Sequence, residues 1–243
     1  MAEGTNSAIP QWMVTLYQFA PAFGLPNPSP FCFKVETYLR MIGEPYETKV
    51  ANPRRAPKGK LPFIKDGTIV VSDSFHIIQH LIKTRGDKLD GGLSEESKAL
   101  GHVIRRTLEE GTYFGLVYSR WVDNAGFEAA KNEFFGSMPA IAKALVPPIA
   151  RGMVKKQTEA QGTGRHAPED IYAMVADDLS ALSVLLGEKS FFLGDTPSSI
   201  DATAYAFLAL LLWAPKPPGL SGVIEKHPNL VAYGERMRNR FWK

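Results

Sequence analysis

Cysteine is almost missing from this sequence: Cys32 is the single one among 243 residues. One thiol excludes an internal disulfide framework, and it excludes any zinc or iron–sulfur site built on several cysteines. Long apolar runs are missing as well. The longest, Ala202 to Trp213, contains Thr203 and falls short of the ~20 residues a membrane helix needs, so it reads as a buried core helix. No charge sign dominates, because 28 Lys and Arg stand against 25 Asp and Glu, and so small an excess gives no footprint for nucleic acid. The densest basic stretches, Lys143 to Arg165 and Arg236 to Lys243, read as solvated helix faces. There is no internal repeat and no low-complexity tract, and 44% apolar residues is ordinary for a folded protein. The first twelve residues lack the basic-then-apolar pattern of a secretory leader, which makes a cytoplasmic location and no integral membrane segment the expectation.

Met1 to Gln11 is small and polar and is expected to fray. Met13 to Phe19 alternates and is rich in β-favouring residues, so it predicts a strand. Ala20 to Pro30, with four prolines, predicts a long loop. Phe31, Val35, Tyr38, Leu39 and Ile42 then recur at helical spacing, with Lys34, Glu36 and Arg40 elsewhere on the wheel and Gly43 as a stop. Tyr46 to Val50 predicts a second strand and Ala51 to Lys60 a loop. Asp66-Gly67, between the apolar runs Phe63 to Lys65 and Thr68 to Val71, predicts a tight hairpin. A helix is expected from Asp73-Ser74, carrying Phe75, Ile78, Leu81 and Ile82 on one face. The order strand, helix, strand, strand, strand, helix predicts a compact α/β domain over residues 13–85, its first two strands parallel.

Gly86 to Gly92 reads as a linker, and beyond it no segment alternates with period two. Ser94 to Trp121, Phe127 to Lys143, Glu169 to Leu186 and Ile200 to Trp213 suit helices, which predicts an all-helical second domain over residues 94–243.

Three short segments of the first domain carry chemistry. Asn27 to Cys32 leads into the first helix, with Ser29 placed as N-cap and Pro30 at the first helical position. A helix start presents unpaired N–H groups that favour an anion, although a serine there also serves as a simple cap. Leu61-Pro62 opens a strand, and a cis bond there would turn the Leu61 backbone outward toward an extended peptide. Val71 to Ser74 opens the second helix, again with capping residue types. His76 and His80, four apart on that helix, lack a third ligand, so no metal site is expected.

In this order the three segments resemble the thioredoxin-like domain of glutathione transferases, and the helical second domain agrees. Phe191 to Asp201 resembles that superfamily's structural capping motif, with Ser198 and Asp201 forming a capping box. Gly24-Leu25-Pro26 before Ser29-Pro30-Phe31, with Gly162 to His166 later, is similar to the metaxin and failed-axon-connections branch. Its bacterial relatives include isoprene-type glutathione transferases, and the Ser29-Pro30-Phe31 stretch is also similar to β-aryl etherases.

This resemblance implies a glutathione transferase that uses glutathione as co-substrate against a small apolar electrophile of the epoxide or aryl ether class. It implies Ser29 as the group that stabilises the thiolate, with Tyr17 and Asn27 as competitors. Asp73 and Ser74 would hold the γ-glutamyl end, the Leu61 backbone beside Pro62 the cysteinyl amide, and Lys58 or Lys60 the glycyl carboxylate. Tyr113, Phe114, Tyr118 and Trp121 would line the electrophile pocket, unless they are core aromatics at helical spacing. Cys32 is expected to be structural, and His166 to orient the start of a helix. A homodimer follows from the resemblance alone. The competing class is a non-catalytic metaxin-like adaptor, against which stand the retained Ser29, Asp73 and Ser74 and the lack of an anchor segment after Trp213.

Overall fold

A computed structural model describes residues 13–136 and 138–243; the segment expected to fray, Met1 to Gln11, lies outside the described residues. Strand β1 (Val14–Gln18) forms where Val14 and Leu16 alternate inward, and both are fully buried. It leads through a proline-rich loop into α1 (Pro30–Met41), which Ser29 caps. β2 (Tyr46–Val50) then pairs parallel to β1, Val14 opposite Tyr46. β3 (Phe63–Asp66) runs antiparallel to β1, and the Asp66-Gly67 turn returns the chain as β4 (Ile69–Ser72). The sheet order is β2-β1-β3-β4. Helix α2 (Ser74–Arg85) follows, burying Ile77, Ile78 and Leu81. Phe75, expected on that face, is 39% exposed instead, with the Arg105 guanidinium 4.7 Å from its ring.

The remaining elements are helical: α3 (Glu95–Arg106), a π-helical turn (Thr107–Thr112), α4 (Tyr113–Trp121), α5 (Asn124–Phe135), α6 (Ala140–Gln161), α7 (Pro168–Leu186), α8 (Ser199–Trp213) and α9 (Pro228–Phe241). Helix α8 is apolar on every side and buried, as its composition predicts, and packs against α1 and α9. The capping box forms: Ser198 N–H and Oγ each donate to Asp201 Oδ2 at 2.8 Å, while Asp201 Oδ1 accepts from Phe192 N and the Tyr233 hydroxyl. Burial raises the Asp201 carboxyl, against those hydrogen bonds, which hold it down.

Two further expectations need correction. The helix read from Phe127 to Lys143 is two, α5 and α6, and α6 continues through Pro147 and Pro148 to Gln161. The basic stretch that includes α6 is only partly solvated, because Arg151 folds back to donate to the carbonyls of Trp121 and Val122 at the end of α4. Gly86 to Gly92 joins α2 to α3, and Asp90 within it accepts from Ser199 N at 2.7 Å and from the Ser199 hydroxyl, holding the start of α8. Lys34 and Glu36, on the polar side of the wheel, are both buried. Lys34 Nζ donates to Glu109 Oε1 at 2.6 Å, and Gln18 Nε2 donates to Glu36 Oε2 at 2.6 Å.

Candidate active site

The start of α1, the start of α2 and the Leu61–Pro62 bend, which is cis, border one cleft of about 760 Å³. Ser29, Lys60, Leu61, Asp73 and Ser74 all line it, so four of the expected binding residues and the expected thiolate partner come together from positions up to 45 apart in sequence. Lys58 and Pro62 line a small adjoining cavity of about 120 Å³ with Lys60, Leu61, Asp73 and Ser74. From the helical region the cleft receives Arg105, Arg106, Glu109, Glu110, Tyr113 and Phe114.

A second cavity of about 680 Å³ shares Phe19, Ser29, Pro53 and Tyr113 with the cleft. Its walls are mainly apolar: Leu116, Val117, Trp121, Phe134, Phe135 and Leu210 among them, with the Trp121 and Phe134 rings stacked at 5.6 Å. Ser29 therefore stands where a polar groove meets an apolar hollow. A guest with a charged, peptide-like body in the first can present one atom to a greasy partner in the second.

Local sequence explains the placement of Ser29. Its N–H donates to Asn27 Oδ1 at 3.0 Å, and Asn27 Nδ2 donates to Phe19 O at 2.8 Å, so the Asn27 carboxamide braces the loop. Ser29 Oγ accepts from Cys32 N at 3.5 Å, the capping arrangement that Ser-Pro predicts, and Pro30 removes one orphan N–H from the helix tip. At α2, Asp73 takes the cap: Oδ1 accepts from Phe75 N at 2.9 Å. Asp73 has φ of 82° and ψ of 130°, a positive-φ backbone that costs a non-glycine residue about 1–3 kcal/mol. Such strain concentrates at functional sites. Ser74 follows, buried, with its side chain on the cleft wall.

The other expected residues fall elsewhere. Asn27 is fully buried and contributes to neither cavity wall. Tyr17 stacks flat on Phe63, ring centroids 4.3 Å apart, beneath the Lys65 ammonium, and borders neither cavity. Of the four aromatics, Tyr113 lies at the junction and Trp121 in the apolar hollow, whereas Phe114 faces the polar cleft. Tyr118 lines neither cavity: it is 8% exposed and packs edge-on to Tyr172 in the helical core. Cys32 is sealed, and burial pushes its thiol up to about 12 despite hydrogen bonds from the Ser29 side chain and the Phe19 backbone. His80 is satisfied by Asp66 at 2.7 Å, and no metal-binding cluster occurs among the described residues. His166 is exposed at the turn before α7 and borders neither cavity.

Three residues absent from the sequence reading belong to the site. Glu109 and Arg105 join across one helical turn at 2.9 Å, a spacing visible in the sequence. Arg120 lines the apolar hollow and donates to Pro28 O at 2.7 Å, a link across 92 residues that no local pattern announces.

Residues 30–126 match the family model described as "Glutathione S-transferase N-terminal domain", and residues 175–237 that described as "Glutathione S-transferase, C-terminal domain". The isoprene-epoxide–glutathione S-transferase of Rhodococcus sp. (strain AD45) is 35% identical over 244 residues, 94% of this chain and 99% of that protein. Metaxin-1 of Macaca fascicularis is 32% identical over 229 residues, 90% of this chain and 72% of that protein. The crystal structure of the β-etherase LigF from Sphingobium sp. strain SYK-6 superposes with a TM-score of 0.64 over 93% of this chain and 95% of that one; at 17% identity this is a likeness of fold.

Proposed function

The chain belongs to the glutathione S-transferase family, and on that premise we propose that it stabilises glutathione as a thiolate and delivers it to a small apolar electrophile. The observation that carries this reading is the position of Ser29 on the wall of both the polar cleft and the apolar hollow. The residue types of the cleft suit glutathione, which carries one ammonium, two carboxylates and two amides. Asp73 and Ser74 are assigned to the γ-glutamyl end, the Leu61 backbone to the cysteinyl amide, and Lys58 or Lys60 to the glycyl carboxylate. Residues 13–85 would then be the glutathione-binding domain and residues 94–243 the domain carrying the electrophile pocket.

The chemistry asked of the chain is modest. A free thiol titrates near ~8.5, and the thiolate is the nucleophile. A helix start and a hydroxyl donor favour the charged form, which raises the thiolate fraction at neutral pH. Ser29 is assigned as that donor. Tyr17 and Asn27 are less well placed, one stacked on Phe63 and the other occupied with Phe19 O and Ser29 N. The similarity to an isoprene-epoxide transferase favours epoxides, with aryl ethers the second class. A detoxifying, cytoplasmic enzyme is part of the proposal, and so is a homodimer: exposed Ile69, Val70 and Val103 are apolar surface that a second copy would cover. Among the described residues no helix is long and apolar enough to cross a membrane.

A second reading, a non-catalytic metaxin-like adaptor, is favoured by the 32% identity to metaxin-1. Retention on immobilised glutathione separates the two. Elution by free glutathione, with Ser29→Ala retained but slow in conjugating an epoxide, supports the transferase. Wild-type protein that flows through unretained supports the adaptor.

A further inference from the structure

Arg120 is a guanidinium in the wrong surroundings. It projects from α4 into the wall of a hollow built mainly of aliphatic and aromatic side chains. Nη1 donates to Pro28 O at 2.7 Å, and the guanidinium carbon lies 5.2 Å from the centre of the Phe23 ring. Among the described residues no carboxylate forms an ion pair with it. The acids nearby in sequence and space are engaged elsewhere: Asp123 accepts from Ala125 N, Gly126 N and the Tyr172 hydroxyl, and Glu133 accepts from Phe23 N. Arg105, in the last turn of α3, is by contrast paired with Glu109.

A guanidinium offers five N–H donors, and one neutral carbonyl occupies one of them. Its charge is partly withdrawn from water without a counter-charge, and burial pulls its pKa down to about 10. At neutral pH it is still a cation. A tether between α4 and the loop before α1 could be supplied by any neutral donor at far lower desolvation cost. The charge is explained if something entering the hollow brings the negative partner. Pro28 immediately precedes Ser29, so the guanidinium is held beside the point where the polar cleft opens into the hollow.

We propose that Arg120 holds the oxygen that takes up negative charge as the second substrate reacts, so that the hollow selects electrophiles whose broken bond joins carbon to oxygen. The inference rests on the glutathione-transfer reading and adds to it a catalytic residue and a leaving-group preference. In the step, the thiolate sulfur pair forms the carbon–sulfur bond and the carbon–oxygen bond breaks. The pair from the broken bond goes to oxygen, which Arg120 N–H groups stabilise as an oxyanion. Solvent returns to that oxygen the proton that glutathione released on ionising, so one glutathione and one epoxide give one hydroxy-thioether. Arrangements of donors aimed at developing charge are a major source of rate enhancement in water-poor sites.

Two measurements test this. In the first, kcat/KM is compared for styrene oxide, which leaves an oxyanion, and benzyl chloride, which leaves chloride. Arg120→Gln is expected to lower the styrene oxide to benzyl chloride ratio at least tenfold, mostly through kcat, with Arg120→Lys recovering part of the ratio. A ratio unchanged in Arg120→Gln, with both rates lower or both intact, overturns the proposal and leaves Arg120 a tether. The second measurement needs no glutathione: binding of the anionic dye 8-anilinonaphthalene-1-sulfonate against its neutral relative N-phenyl-1-naphthylamine, followed by fluorescence. The affinity ratio should fall at least tenfold in Arg120→Gln, and an unmoved ratio again contradicts the proposal. Wild-type protein that binds the dye through Arg120 yet neither binds nor conjugates glutathione would sink the transferase reading, and with it the leaving-oxygen role. Arg120 would then be established as the anchor of an anionic apolar ligand.

Discussion

Lys34 and Glu109 meet at 2.6 Å with side-chain exposures of 2% and 8%, one on α1 beneath the cleft and the other on the π-helical turn that walls it. Arg105 joins the same carboxylate at 2.9 Å. This buried ion pair fastens the helix that presents Ser29 to the helical layer carrying Tyr113 and Arg120. Burial pushes the Lys34 ammonium pKa down, and the adjacent Glu109 carboxylate opposes that shift.

Its two halves should not be equivalent on mutation. Glu109→Leu leaves Lys34 as a buried cation without a partner, expected to cost about 3–5 kcal/mol. Lys34→Met leaves Glu109 still bonded to Arg105, so its cost is expected to stay under about 2 kcal/mol. Urea denaturation of the two variants checks the order. Equal losses would show that Arg105 does not keep Glu109 satisfied once Lys34 is removed.

Cys32 makes a pH prediction whose sign is fixed by its burial. The folded thiol is held up to about 12, against an ordinary value near 9.0. Above pH 9 the unfolded chain therefore loses this proton and the folded chain keeps it. Stability from this group falls as pH rises from about 9 to about 12, by about 1.4 kcal/mol per pH unit. Cys32→Ser or Cys32→Ala should flatten that part of the stability profile. In the native wild-type protein Cys32 should also resist a thiol reagent at pH 8 and react once urea is added.

The positive-φ Asp73 separates stability from binding. Glycine adopts φ of 82° freely and loses only a few tenths of a kcal/mol as an N-cap, so Asp73→Gly should be at least as stable as wild type. Retention on immobilised glutathione should nevertheless be lost with the carboxylate. A variant that unfolds earlier contradicts the strain at Asp73, and one that binds as before contradicts the assignment of Asp73 to the glutathione cleft.

Much of the α/β part was legible because its signals are local. Alternation in Val14 to Gln18, the Asp66-Gly67 turn and the Ser29-Pro30 cap each act within a few residues, and each forms as expected. The Ser198–Asp201 box is equally local. What sequence reasoning missed depends on distant partners. Nothing near Lys34 marks it for burial because Glu109 lies 75 residues away, and Arg120 was silent because Pro28 lies 92 residues away. Tyr118 and Trp121, three apart on one helix, could not be told apart as core and cavity wall until α5 and α7 were in place. The helix expected from Phe127 to Lys143 runs across the break before Pro139, where α5 has ended and α6 begins, and it stops short of Pro147 and Pro148, through which α6 continues. Helix α9 went unassigned although Leu230, Tyr233 and Met237 mark a buried stripe at helical spacing.

The titration of bound glutathione tests the central claim most directly. Ultraviolet absorbance of the thiolate, followed against pH with wild-type protein and with Ser29→Ala, reads the sulfur's ionisation in the cleft. A wild-type midpoint at or below about 7.5, moving back toward the ~8.5 of a free thiol in Ser29→Ala, is the predicted result. A midpoint already near ~8.5 in wild type, or one that Ser29→Ala leaves in place, would contradict the account.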